Sequence, residues 1–180
     1  MSAISLNREL YFTTSTVIDW MDVFTRPKYK RIVVESLEYC QQKKSLDIYA
    51  WVLMTNHLHM IIGIRDGGPV GDFLRDFKKF TSKNIVKAIE ENQQESRKEW
   101  IIDRCRFRGS NDRKITNFKF WQDDNHVEQL NSYEFYKQKL DYIHHNPVRQ
   151  EIVERAEDYL YSSARNYAGM KGLLDVIVVQ

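Results

Sequence analysis

The sequence lacks the features that would mark a secreted or membrane-bound protein. It has only two cysteines in 180 residues, Cys40 and Cys105, and their spacing fits neither a disulfide framework nor a C-x-x-C metal or redox motif. No apolar run approaches the roughly 20 residues that a membrane-spanning helix requires. The stretch from Met1 to Leu10 lacks the basic and apolar segments of a secretory signal. We therefore expect a cytoplasmic protein with reduced thiols and no membrane partner.

An excess of charge is also missing, so net charge by itself does not indicate a nucleic-acid partner. The 27 lysines and arginines are nearly balanced by 25 aspartates and glutamates, which leaves a formal charge of +2. The hydrophobic content of 42%, with 13% aromatic residues, is sufficient for a buried core without disulfides or a structural metal. Length and composition together predict one folded domain.

Hydrophobic periodicity predicts an α+β domain. Strands are predicted at residues 10–18, 46–54, 57–64 and 118–122. Helices are predicted at residues 28–44, 70–91 and 131–146, with a shorter one beginning at Ser96. The last helix is expected to end before Pro147, because proline disfavours helical backbone in the residue that precedes it. This order predicts a ferredoxin-like antiparallel sheet with helices packed on one face.

Two histidines alternate with apolar residues in the strand predicted at 57–64. Side chains of a strand point alternately to its two faces, so His57 and His59 share one face while Leu58 and Met60 share the other. Two imidazoles on one face can bind a single metal ion. The alternative is that both histidines are ordinary polar residues on a solvated face, and so short a motif does not decide between these hypotheses.

The last predicted helix places a phenol beside two potential metal ligands. Tyr142 shares a helical face with His145 and Asn146, which follow it by three and four positions. A tyrosine can attack a phosphodiester and conserve the bond energy as a phosphotyrosine, but its ordinary pKa of about 10 means that it needs electrostatic help. The chain contains 10 tyrosines, however, and most are expected to serve packing. A protonated histidine interacts favourably with the helix dipole at a helix C-terminus. This interaction would explain the presence of His144 and His145 equally well.

Two stretches of the chain resemble the single-tyrosine HUH transposases of the IS200-like superfamily, and within them the REP-associated tyrosine transposases. Residues 51–60, WVLMTNHLHM, are similar to the His-hydrophobic-His strand of that family. Residues 141–148, DYIHHNPV, are similar to its nucleophile helix. The resemblance extends to residues 120–126 and 157–164, so it covers most of the chain.

The resemblance implies a role for each of these side chains. His57 and His59 would be metal ligands, Tyr142 the nucleophile and Asn146 the third ligand, with His145 as the alternative third ligand. The implied ion is Mg²⁺ or Mn²⁺, because few protein ligands plus phosphate oxygens suit hard cations. The implied reaction is transesterification on single-stranded DNA through a 5′-phosphotyrosine and a free 3′-hydroxyl, without ATP.

The resemblance also implies a domain organisation and a partner. Residues 1–180 would form a single HUH tyrosine transposase domain, with a helical and loop insertion at 91–117 and a C-terminal extension at 156–180. The DNA is expected to form hairpins. Whether the protein is a monomer or a homodimer is left open.

Two basic segments are candidate DNA contacts. The first is a basic stripe on the second predicted helix, made of Arg75, Lys78, Lys79, Lys83 and Lys87. A solvated helix face explains this spacing equally well. The second surrounds Phe107, which could stack on a base, and contains Arg104, Arg106, Arg108, Arg113 and Lys114.

Two other functions remain compatible with the sequence. One is a catalytically inactive or domesticated DNA-binding protein of the same fold, although an intact Tyr142 with both histidines argues against it. The other is a metal-dependent phosphoesterase, in which water rather than tyrosine attacks the phosphorus.

Overall fold

The computed structural model describes residues 9–110 and 117–179 and shows one sheet flanked by helices. The elements are β1 (Tyr11–Thr16), α1 (Pro27–Lys43), β2 (Leu46–Leu53), β3 (His57–Ile64), α2 (Val70–Glu90), α3 (Lys98–Ser110), β4 (His126–Gln129), α4 (Tyr133–Arg149) and α5 (Ala164–Tyr167). The strands run in the order β2-β3-β1-β4, and each neighbouring pair is antiparallel. This is the strand order of the ferredoxin-like plan, so the predicted α+β fold is confirmed.

Helices lie on both faces of the sheet. The predicted packing of helices on one face is correct for α1 and α2, which lie against Leu58 and Met60 of β3. Helix α4 adds a layer on the other face, where Ile143 packs with Phe12 and Ile61. This second layer explains why β2 is apolar except for Asp47, since all of its residues are buried. Within the residues that the structure describes, none of the helices could span a membrane.

The strand predicted at residues 118–122 is wrong. In this segment Trp121 forms only an isolated bridge, and the fourth strand of the sheet is β4. The aromatic residues that suggested a strand are core residues, because Phe120 and Trp121 both pack against Phe24. Edge strand β4 is mostly exposed and polar, so hydrophobic periodicity could not reveal it.

Helix α4 extends past the predicted end. It runs through Pro147 to Arg149, and the backbone N–H of Gln150 still donates to the carbonyl of Asn146 at 3.1 Å. Pro147 lacks the N–H that would bond to the carbonyl of Ile143, so one helical bond is lost, but the bond from Gln150 to Asn146 still forms beyond it. The helix therefore keeps its length up to Arg149.

The described part of the predicted C-terminal extension at 156–180, residues 156–179, packs beside the outer edge of β2. The backbone N–H of Leu53 donates to the carbonyl of Tyr161 at 2.9 Å. This pairing covers a strand edge that would otherwise expose unpaired backbone groups. The predicted insertion at 91–117 contains α3, while residues 111–116 lie outside the described residues.

The end of α3 provides a test of this packing. A Cβ atom on Gly109 would lie 2.7 Å from the Cα of Phe118, which is backbone and cannot rotate away. We expect Gly109→Ala to lower the free energy of unfolding by about 1–3 kcal/mol, the usual cost of overpacking. Thermal melting followed by circular dichroism would show the decrease.

The matched control is Gly71→Ala in the first turn of α2. A Cβ atom there meets nothing within 4 Å. Alanine should leave the melting temperature unchanged or raise it, because its helix propensity exceeds that of glycine by up to about 1 kcal/mol. Equal melting temperatures for the two variants would contradict the close approach of α3 to Phe118.

Candidate active site

Strand β3 presents His57 and His59 on the face of the sheet that α4 covers. Their ring centroids are 4.6 Å apart, and the side chains are only 8% and 5% exposed. Leu58 and Met60 are buried on the opposite face, as the alternation predicts. Because both histidines are buried, the alternative of two polar residues on a solvated face is wrong.

Asn56 determines the tautomer of His57. The Nδ1 atom of His57 lies 2.7 Å from Oδ1 of Asn56, and Nδ2 of Asn56 donates to the carbonyl of Trp20 at 3.1 Å. The amide oxygen can only accept, so Nδ1 of His57 carries the proton and Nε2 keeps a free lone pair. Histidines that bind a metal through one ring nitrogen usually donate a hydrogen bond from the other in this way.

Thr14 holds His59 in a similar manner. It lies opposite His59 in the register of β1 and β3, and its hydroxyl is 2.8 Å from Nδ1 of the imidazole. That hydroxyl can accept a hydrogen bond from a protonated Nδ1, which leaves Nε2 with a lone pair. Nε2 of His59 lies 3.5 Å from the hydroxyl of Tyr142, and the two ring centroids are 5.1 Å apart. The fold thus brings the predicted nucleophile beside a predicted ligand 83 residues away in sequence.

Burial keeps both imidazoles neutral near pH 7. It lowers the pKa of His57 to about 4 and is the main cause that lowers the pKa of His59 to about 3. Repulsion from His57 and from Lys139 lowers the pKa of His59 further. Neutral imidazole is the form that binds metal ions, so the electrostatics of the site suit a cation held by both rings.

The two candidates for the third ligand differ in their surroundings. Asn146 is 5% exposed, and its Oδ1 accepts from Nε2 of Gln150 at 3.4 Å. His145 is exposed, and its Nδ1 donates to the carbonyl of Asp141 at 2.9 Å. These hydrogen bonds run along α4 rather than to the histidines of β3.

His57 and His59 have no third acidic, histidine or cysteine side chain beside them to complete a metal site among the described residues. In the part of the chain that the structure describes, no group of three such side chains could hold a metal ion. An ion held by His57 and His59 would therefore need an amide, such as that of Asn146, or oxygens from a substrate phosphate and water. This requirement fits Mg²⁺ or Mn²⁺, which commonly keep water and phosphate ligands.

Tyr142 lies in an open cleft of about 350 Å³ between α4 and the sheet. Its side chain is 40% exposed, so a polynucleotide can reach the hydroxyl. The other lining residues are Phe12, Thr14, His59, His126, Gln138 and Lys139. The cleft is thus formed by β1, β3, β4 and α4 together.

Positive charges border this cleft. The guanidinium carbon of Arg149 lies 4.7 Å from the ring centroid of Tyr142, and Arg149 donates to the carbonyl of Tyr142 at 2.7 Å. The ammonium of Lys139 lies 4.3 Å from the ring centroid of Phe12 and 2.7 Å from a carboxylate oxygen of Glu128. Two cations beside an accessible phenol favour the approach of a phosphate.

Several residues of this site were not predicted from the sequence. Lys139 and Arg149 lie three positions before and seven after Tyr142 on the same helix, so helical spacing alone could have identified them. Asn56 directly precedes the first histidine. The placement of Thr14 depends on the pairing of β1 with β3, which no local pattern reveals.

His144 has a packing role next to the cleft. Its Nε2 lies 2.8 Å from the hydroxyl of Ser163, which also accepts from the backbone N–H of Trp51 at 2.9 Å. The His144 ring meets that of Tyr167 edge-on at 4.9 Å. These contacts join α4 to β2 and to the C-terminal segment.

The basic stripe on α2 lies away from Tyr142, because α2 and α4 pack on opposite faces of the sheet. Lys79 and Lys83 are exposed, but the other three cations have partners. These pairs are Arg75 with Asp72, Lys87 with Glu91, and Lys78 with the carbonyl of Gln122. Burial lowers the pKa of Lys78 to about 8. Contact of this stripe with DNA stays a prediction.

The second basic segment is also largely paired. Arg104 and Arg108 both bind the carboxylate of Asp19, and Arg106 lies 3.4 Å from Glu90. Arg113 and Lys114 lie outside the described residues. Phe107 is 54% exposed, and its role in stacking stays a prediction.

Comparisons with known proteins identify a family and a shared fold. The model of the IS200-like transposase family matches residues 17–107, just over half of the chain, a range that includes both histidines of β3 but ends before α4. A solved REP-associated tyrosine transposase, bound to a REP hairpin, has a TM-score of 0.64 at 18% identity over 100% of this chain and 94% of its own. A transposase structure from Deinococcus radiodurans R1 has a TM-score of 0.48 at 15% identity, over 79% of this chain and 95% of its own. No curated protein sequence matches.

The buried His144 predicts how stability depends on pH. Burial lowers its pKa to about 4, whereas the pKa of an unfolded histidine is about 6.5. Below pH 6.5 this histidine binds a proton in the unfolded state but stays neutral in the folded state. The free energy of unfolding therefore falls as the pH is lowered towards 4. Each such proton contributes a slope of up to about 1.4 kcal/mol per pH unit.

Urea unfolding between pH 7 and pH 4.5 would measure this slope. His144→Gln, which can still hydrogen-bond to Ser163, should reduce the slope by about one proton. An unaltered slope in His144→Gln would rule out this account of His144.

Proposed function

Since this chain belongs to the IS200-like transposase family, we propose that it cleaves and rejoins single-stranded DNA with Tyr142 as the nucleophile. The observation that carries this proposal is the accessible hydroxyl of Tyr142, 3.5 Å from Nε2 of the buried His59. A tyrosine that served packing alone would have no need of a cleft bordered by Lys139 and Arg149.

The proposed reaction exchanges one phosphodiester for another. The hydroxyl oxygen of Tyr142 loses its proton and attacks the phosphorus, and the bond from phosphorus to the 3′ oxygen breaks. The 3′ oxygen takes up a proton, which leaves a free 3′-hydroxyl and a 5′-phosphotyrosine. A different 3′-hydroxyl can reverse the step and join a new end. No ATP is needed, because the covalent intermediate conserves the bond.

His57 and His59 are the side chains that would hold Mg²⁺ or Mn²⁺, with the amide of Asn146 as the proposed third ligand. Asn56 and Thr14 support this role, because they bind the Nδ1 atoms and leave both Nε2 atoms for the ion. Such an ion, when bound, polarises the scissile phosphate and offsets developing negative charge.

We propose that the substrate strand flanks a hairpin. The structure solved with a REP hairpin resembles this chain over 100% of this chain's length, which supports the proposal. We further propose that residues 1–180 act as one domain, since the C-terminal segment pairs with β2, and that the protein acts on DNA in the cytoplasm.

Replacing Tyr142 tests the proposed nucleophile. Wild-type protein incubated with labelled hairpin oligonucleotides and Mn²⁺ should form a protein–DNA adduct that survives denaturing electrophoresis. Tyr142→Phe should form none, because phenylalanine has no hydroxyl to attack with. Tyr133→Phe is the matched control: Tyr133 lies on the same helix with 39% exposure, against 40% for Tyr142, and should keep the adduct.

Other results would favour the alternative functions. Cleavage without an adduct, retained in Tyr142→Phe, would indicate a metal-dependent phosphoesterase in which water attacks. Binding of hairpin DNA by wild-type protein, with neither cleavage nor adduct across varied oligonucleotides, would indicate a catalytically inactive DNA-binding protein.

The third ligand can be tested by metal titration. Asn146→Ala should raise the Mn²⁺ concentration needed for half-maximal cleavage by at least about tenfold, because the ion loses an oxygen ligand. His145→Ala should leave that concentration unchanged. Melting temperatures of both variants separate metal affinity from stability, since Asn146 is buried. If only His145→Ala shifts the titration, His145 rather than Asn146 is the third ligand.

A further inference from the structure

Trp20 is an exposed aromatic residue at the edge of the histidine pair. Its ring lies 6.4 Å from that of His57, in an edge-on arrangement. With 62% of its surface exposed, it is the most exposed large hydrophobic side chain among the described residues. Packing in the core does not account for it, because most of its surface is in contact with solvent.

The backbone holds Trp20 in an unfavourable conformation. Asp19 and Trp20 have φ angles of 52° and 55°, in the left-handed region. Aspartate tolerates this region, but a bulky residue such as tryptophan rarely adopts it. Two consecutive residues of this kind persist only where neighbouring groups impose them, and such strain is concentrated at functional sites.

Two arginines of α3 supply one of these restraints. Nε of Arg104 donates to Oδ2 of Asp19 at 2.8 Å, and Nε of Arg108 donates to Oδ1 at 2.9 Å. The hydrogen bonds from Arg108 and then Arg104 lower the pKa of Asp19 below its usual value, although partial burial opposes the shift. Asp19 therefore stays ionised and bound to both guanidinium groups at neutral pH.

Asn56 supplies the other restraint and links it to the histidine pair. Its Nδ2 donates to the carbonyl of Trp20 at 3.1 Å, while its Oδ1 accepts from Nδ1 of His57 at 2.7 Å. One amide thus fixes both the backbone of Trp20 and the tautomer of His57. The backbone of Trp20 is thus held in place relative to the proposed metal site.

We propose that Trp20 is a platform on which a base of the single-stranded DNA stacks, next to the phosphate that Tyr142 attacks. This inference rests on the proposed function. The indole lies beside His57, the phenol lies beside His59, and the two imidazoles are in contact, so one strand can occupy both positions. Aromatic stacking tolerates any base and contributes substantially to single-strand binding. Trp20 is a positioning residue, because it acts on a base and not on the reacting atoms.

The test measures binding without cleavage, in a Tyr142→Phe background. The probe is a fluorescent pool of hairpin oligonucleotides with randomised single-stranded flanks, in Mn²⁺, with binding followed by fluorescence anisotropy. Trp20→Ala should weaken binding roughly tenfold, while Trp20→Phe should restore most of the affinity. The matched control is Trp100→Ala: Trp100 is 51% exposed on α3 and should bind as the parent does.

A second pool with abasic flanks separates stacking from structural damage. Removing the bases should weaken binding by the protein that retains Trp20, and should cause a smaller loss in Trp20→Ala, because the interaction is already missing. If Trp20→Ala binds as its parent does, or if abasic flanks weaken both proteins equally, the inference is overturned.

The outcome for the proposed function is read separately. Wild-type protein that forms the covalent adduct supports that function even when Trp20→Ala has no effect on binding. Absence of both adduct and single-strand binding in wild-type protein would overturn the proposed function and, with it, this inference.

Discussion

The site depends on the packing of α4 against the sheet face that carries His57 and His59. Ile143 and Tyr136 of α4 are buried with Phe12 and Ile61 of the sheet, and this apolar contact determines the rotation of the helix. Because Ile143 points into the core, the neighbouring Tyr142 lies at the rim of the cleft, with its hydroxyl near His59. Without this contact the phenol and the imidazoles would belong to unrelated surfaces.

Burying two imidazoles in this layer has an energetic cost that the hydrogen bonds of the site reduce. A buried polar group destabilises the fold unless it finds a partner, and Asn56 and Thr14 provide one for each ring. Burial also disfavours the protonated forms, so both rings stay neutral at pH 7. The same environment therefore orients the histidines and keeps them in the form that binds a cation. Asn56 also connects His57 to the carbonyl of Trp20, and the preceding Asp19 binds arginines of α3.

Most of the fold could be predicted from the sequence, because periodicity follows directly from local geometry. The strands of the β2 and β3 hairpin and the helices α1 and α2 begin and end close to their predicted positions. Edge strand β4 could not be predicted, since an exposed polar strand has no hydrophobic pattern. The aromatic segment at 118–122 misled for the opposite reason: its apolar side chains fill the core without joining the sheet as a strand.

In the candidate site, too, some features follow from local sequence patterns and others only from tertiary contacts. The sequence by itself determined that His57 and His59 share one strand face and that Tyr142 lies on a later helix, because both follow from the alternation of a strand and the turn of a helix. Only the tertiary structure decided that these surfaces meet, that Thr14 supports His59 and that Asp19 binds arginines of α3 beside Trp20. Those contacts join residues far apart in the chain, and strand register and helix packing, which arise only as the whole core assembles, determine them.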